Sequence, residues 1–149
     1  MQMNDSQRIP ASKAVVWASL NDPEILKRCI PGCQSLEMSS PTEMVATVVL
    51  RVGPVKATFS GKVTLADIEA PNSYRIIGEG AGGVAGFAKG GAKVRLEEES
   101  PDMTILHYEA EAQIGGKLAQ LGSRLIDSTS RKLAANFFES FAAVVAPSS

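Results

Sequence analysis

The stretch Lys117–Val145, KLAQLGSRLIDSTSRKLAANFFESFAAVV, decides the fold. It contains no proline and, after Gly122, no glycine, and Pro147 closes it. At 100° per residue Leu118, Leu121, Leu125, Ile126, Thr129, Leu133, Phe137 and Val144 share one face, which predicts an amphipathic helix. At about 1.5 Å per residue that helix is ~40 Å long, enough to cross a whole small domain. Two features break its regularity. Asn136 and Ser140 fall on the apolar face, where an unpaired amide costs ~1–3 kcal/mol, so Asn136 needs a backbone carbonyl, a water or a ligand carbonyl. Phe138 falls on the polar side near Asp127 and Arg131, and with Phe141 and Val145 it makes a second apolar stripe. That stripe either packs under the N-terminal helices or serves as a docking patch.

Upstream of the helix the period is two. Met44, Ala46, Val48, Leu50 and Val52 alternate with Val45, Thr47, Val49 and Arg51. After Gly53-Pro54, Val55, Ala57, Phe59, Gly61, Val63 and Leu65 alternate with Lys56, Thr58, Ser60, Lys62 and Thr64. Such alternation predicts an antiparallel sheet with one wet face. Tyr74–Gly80, Ala88–Glu99 and Thr104–Ile114, separated by turn-forming residues, bring the count to six or seven strands at meander spacing. Near the N-terminus, Met3–Ile9 reads as a short strand. Ser12 caps a helix over Lys13–Leu20, and Pro23 opens a second over Glu24–Cys29.

The expected architecture is therefore α+β: two short helices, then a curved antiparallel meander gripping one long C-terminal helix, all in a single domain of 149 residues. A sheet curved over one helix leaves space between them. By alternation Gly78, Gly80 and Gly90 face inward and widen that space, unless they serve as bulges in a bent sheet. The expected cavity wall is Leu50, Phe59, Val63, Tyr74 and Ile76 from the first strands, with Gly78 beside them. Val94 and Tyr108 continue it on the later strands, and Leu125, Leu133 and Phe137 close it from the helix. Asn136 is the candidate polar contact.

Composition excludes other classes. With net charge −1 and aromatics at 5%, no basic block offers phosphates a counter-charge, so nucleic acid is not an expected partner. No apolar run reaches the roughly 18 residues needed to span a bilayer, and MQMNDSQRIPASK lacks a signal-like apolar core. A cytoplasmic location is expected, with Cys29 and Cys33 as reduced thiols rather than a redox pair. Their C-x-x-x-C spacing, with no His or third Cys nearby, offers too few ligands for zinc. The glycines of 78–91 match no phosphate loop. His107, between Leu106 and Tyr108, points out of the sheet, and Glu97-Glu98-Glu99 reads as a solvated edge. With almost no ionisable group on the inner faces, the chain is read as a binder and not an enzyme.

Three groups of residues carry a resemblance. Cys29-Ile30-Pro31-Gly32-Cys33 is followed by Leu36-Glu37, then Gly78-Glu79-Gly80, then Gly115-Gly116-Lys117-Leu118-Ala119-Gln120-Leu121-Gly122 running into Phe137-Phe138. Together they resemble the carbon monoxide dehydrogenase G-subunit family, within the START-like (SRPBCC) helix-grip superfamily that includes the birch-pollen allergen and the polyketide cyclases. The resemblance covers nearly the whole chain. It implies an accessory, non-catalytic partner of a molybdenum-containing carbon monoxide dehydrogenase or related hydroxylase. It also implies a cavity for an apolar molecule such as a quinone, no covalent cofactor, and a peripheral contact with the inner face of the cytoplasmic membrane. Some family members continue into a membrane-seeking tail, whereas this sequence runs to Ala146-Pro147-Ser148-Ser149. Two alternatives stand beside that reading: an assembly or recruitment factor without a functional ligand, and a cyclase- or hydrolase-like enzyme on the same fold.

Overall fold

A computed structural model describes residues 1–147. Seven strands form one antiparallel sheet: β1 (Gln2–Ile9), β2 (Cys33–Ser40), β3 (Glu43–Val52), β4 (Val55–Glu69), β5 (Ser73–Ala81), β6 (Phe87–Ser100) and β7 (Met103–Gly115). Their order is β1-β7-β6-β5-β4-β3-β2, so β1 departs from the meander by pairing with the last strand. Two short helices, α1 (Lys13–Leu20) and α2 (Pro23–Cys29), link β1 to β2. The Ser12 hydroxyl accepts from the Val15 amide at 3.3 Å and Asp22 from the Glu24 amide at 2.9 Å, and Pro23 sits where a helix has an amide to spare.

The C-terminal helix α3 (Ser123–Val145) is shorter than the sequence suggests. Residues Gly116–Leu121 form a separate 3-10 turn, and Gly122 at φ 92° breaks the chain direction before α3 starts. An L side chain rarely adopts that φ, so the glycine that the periodicity runs through is the breaking point.

The packed core occupies one end of the molecule. There Ile9, Leu96 and Leu106 from the sheet meet Val16 and Leu20 of α1, Leu26 of α2, and Phe141 and Val145 of α3. Phe141 is 0% exposed. The fully buried Thr104 hydroxyl donates to the Ala11 carbonyl at 2.8 Å, so its burial carries no unpaired donor. The C-terminal half of α3 is thus fixed in the core, while its N-terminal half spans the open part of the sheet.

Two expectations change here, the apolar stripe and the acidic edge, while the cysteines stand as expected. Phe138, Phe141 and Val145 are not an exposed docking patch: Phe141 and Val145 are buried, and Phe138 packs against the core with its ring stacked on Tyr108 at 5.4 Å. Helices α1 and α2 bring the cover for that end. Glu97-Glu98-Glu99 is not at a sheet edge, because β6 lies between β5 and β7. Glu97 instead meets His107 at 3.3 Å and Glu99 meets Arg8 at 3.0 Å, all on solvated surface. Cys29 and Cys33 are free thiols; burial pushes both above their ordinary pKa, against the weaker pull of Arg28 on the first and Lys27 on the second.

Candidate functional site

Between the inner face of the sheet and α3 lies a cavity of ≈ 660 Å³. Its cause is legible in the strand register. Ala46, Gly61, Gly80 and Ala88 sit side by side across β3–β6, and Ala92 and Ala112 continue the small-residue floor on β6 and β7. Where neighbouring strands would ordinarily raise Val or Leu toward the helix, these positions raise a methyl group or nothing. Walls rise around the floor: Phe59, Leu50 and Leu118 at one end, Leu65, Tyr74 and Val94 toward the core. Ile126, Leu133, Phe137 and Phe138 form the roof.

Nine of the twelve residues expected in the wall line this cavity: Leu50, Phe59, Val63, Tyr74, Ile76, Val94, Tyr108, Leu133 and Phe137. Three do not. Asn136 is exposed, so it cannot be the inward polar contact. Leu125 packs over the β3–β4 turn instead, where a Cβ on Gly53 would come within 2.7 Å of its Cδ2. Gly78 shares the inward register with Tyr74 and Ile76 but lies outside the lining. Gly90 follows the bend reading rather than the space-making one, since a Cβ there would fall 2.1 Å from the Glu111 carbonyl oxygen.

The two departures on the helix, Asn136 and Leu125, share one cause. The buried face of α3 is turned by roughly 60–80° toward Phe138 and Phe141 relative to the face that 100° periodicity selects, because the core end of the helix sets its rotation. Ser130 and Phe138 enter the lining for the same reason.

Polar side chains in the wall are few, the hydroxyls of Tyr74, Tyr108, Thr129 and Ser130; Met1 also lines it, with its ammonium donating to the Ala112 carbonyl at 3.1 Å. Among the described residues, no lining side chain is an Asp, Glu, Lys, Arg or His. Tyr74 is 5% exposed, and its ring meets that of Trp17 edge-on at 5.3 Å. Burial pushes its hydroxyl up to about 12, so it stays a neutral donor throughout the physiological range. Burial, aided by the Asp5 charge, raises Tyr108 as well. Among the described residues no group of three or more His, Cys, Asp or Glu could hold a metal ion, and no helix is long and apolar enough to cross a membrane.

Known proteins share this geometry. The chain superposes on a conserved protein from Geobacillus kaustophilus with TM-score 0.92 and 29% identity, over 97% of this chain and 95% of that one. A START superfamily protein from Mycobacterium smegmatis matches with TM-score 0.74 and 11% identity, over 97% and 96%. The Zhui aromatase/cyclase from Streptomyces sp. R1128 matches with TM-score 0.68 and 10% identity, over 97% and 93%. At such identities the last two are alike in fold alone, which is START-like. No curated protein matches in sequence. The profile of one family, however, matches residues 6–146. The chain belongs to the CoxG family, that of the carbon monoxide dehydrogenase G-subunit.

Proposed function

We propose that this protein is a non-catalytic accessory subunit of a molybdenum-containing carbon monoxide dehydrogenase or related hydroxylase, and that it carries an apolar molecule of the quinone class in its cavity. The observation that supports this most is the pairing of ≈ 660 Å³ of space with a wall that has no charged side chain among the described residues. A ligand that buries about 200 Å² of apolar surface there gains ~5 kcal/mol at ~25 cal/mol per Å², before the cost of association. Enzymatic acid–base chemistry near neutral pH needs a group that titrates there. The ionisable side chains of the wall are two tyrosines, both pushed upward, which favours the carrier over a cyclase-like enzyme. Organic extraction of protein purified under native conditions, followed by mass spectrometry, should return a quinone or similar apolar species near one per chain. Protein that folds normally yet yields no such species, and takes none up when quinone is offered, would refute the carrier reading.

A membrane contact is part of the proposal, and charge supports it. The β3–β4, β5–β6 and β7–α3 connections lie at one end of the sheet and hold Arg51, Lys56, Lys89, Lys117 and Arg124, with no carboxylate in 51–58, 80–90 or 112–126. Val84 (92% exposed) and Phe87 (50% exposed) project from the middle connection. Asp67, Glu69, Glu97, Glu98, Glu99 and Asp102 gather at the other end. A basic end with apolar tips suits an anionic lipid surface. The protein should co-float with phosphatidylglycerol vesicles and not with phosphatidylcholine vesicles, and V84D/F87D should reduce flotation severalfold; equal flotation on both lipids would remove this part.

A further inference from the structure

We propose that the Tyr74 hydroxyl is the hydrogen-bond donor that fixes the polar head of the cavity's ligand, so that the ligand carries a carbonyl or similar acceptor on an otherwise apolar frame. The inference rests on the carrier reading and makes it specific. A buried tyrosine ordinarily has a partner for its hydroxyl, because a desolvated donor left unpaired is costly. Elsewhere the rule is kept: the buried Thr104 hydroxyl has the Ala11 carbonyl. Tyr74 is more than nine-tenths buried, yet its hydroxyl meets no acceptor among the described residues. Nor is the hydroxyl sealed inside protein, since no fully enclosed side-chain oxygen or nitrogen of the described residues lacks a partner. Tyr74 lines the cavity, and we infer that the cavity is the space its hydroxyl opens on.

The remaining polar groups of the wall are less suited. Tyr108, Thr129 and Ser130 are only half-buried, and hydroxyls on a helix can turn back to their own backbone carbonyls. Ser128 does so with Leu125 at 3.1 Å. The Tyr74 ring, in contrast, packs edge-on against Trp17 at 5.3 Å, a contact that restrains the ring before a ligand arrives. An acceptor bound there leaves the small-residue floor and the Phe59 end for the apolar remainder of the molecule.

Isothermal titration of wild type and Tyr74→Phe with 2-methyl-1,4-naphthoquinone and with its hydrocarbon counterpart 2-methylnaphthalene separates the possibilities. The substitution should weaken the quinone about tenfold, the loss of one buried hydrogen bond, and leave the hydrocarbon unchanged or slightly tighter. Its melting temperature should stay within about two degrees of wild type, because no protein partner is lost. Unchanged quinone affinity in the variant, an equal change for both probes, or a melting temperature lower by several degrees would each overturn the assignment while leaving the carrier standing. Failure of wild type to bind either probe would defeat the carrier reading itself, and Tyr74 with it.

Discussion

Phe138 sits between two kinds of surface, with Tyr108 stacked on one side at 5.4 Å and Phe137 edge-on at 5.2 Å. Phe141, 5.7 Å beyond Phe137, is sealed completely. Removing that last ring should cost ~3–5 kcal/mol in Phe141→Ala, a drop on the order of 10 °C in a domain of this size. Phe138→Ser should lower the melting temperature by several degrees, measured by circular dichroism or calorimetry. An unchanged melting temperature in both variants would mean that this face of α3 is not core. Periodicity puts Phe138 outside because it averages over the whole helix, whereas the buried direction is set locally by whatever element lies across from each turn. The same averaging draws Asn136 inward, and its exposed position removes any need for a buried partner. For Tyr74, β-alternation alone points to the wall; that its hydroxyl has no partner depends on neighbours from α1 that sequence cannot position.

Among the elements, the strands are more legible in the sequence than the helix. A period of two leaves only two faces to choose between, and one slip would expose every apolar residue of the strand. Residues 44–65 therefore read directly as the β3–β4 hairpin with its Gly53-Pro54 turn, and Gly53 adopts φ 57° there. The pairing of β1 with β7 cannot be inferred in this way, because it joins ends of the chain more than 90 residues apart. The misplaced edge at Glu97-Glu98-Glu99 has a different cause: the run lies on β6, which β5 and β7 flank on both sides, so it belongs to an interior strand. At the other boundary, the apolar spacing of Leu118 and Leu121 continues the helical pattern across Gly122, so only the backbone conformation reveals the break. The break lets the 3-10 turn carry Leu118 into the cavity wall at 5% exposure, an angle a straight helix would not give.

At the scale of the whole molecule, the chain divides into a packed end and a hollow end. The packed end holds the large side chains of β1, β6, β7, α1, α2 and the last turns of α3. The hollow end follows from Gly61, Gly80, Ala88, Ala92 and Ala112, small residues on adjacent strands that a pattern of alternation marks as inward but does not place next to one another. The basic connections lie at this hollow end. If the hollow is a binding site and not a packing defect, filling it must weaken binding. Gly80 is the place to do so, since a Cβ there meets nothing closer than 3.6 Å and its side chain would enter the cavity. Trp17, the single tryptophan, packs on the cavity-lining Tyr74 and should report occupancy by fluorescence quenching if the cavity binds. Titration with 2-methyl-1,4-naphthoquinone should give saturable quenching in wild type, and an affinity at least tenfold weaker in a folded Gly80→Leu variant. Equal affinity in the two proteins would contradict the account.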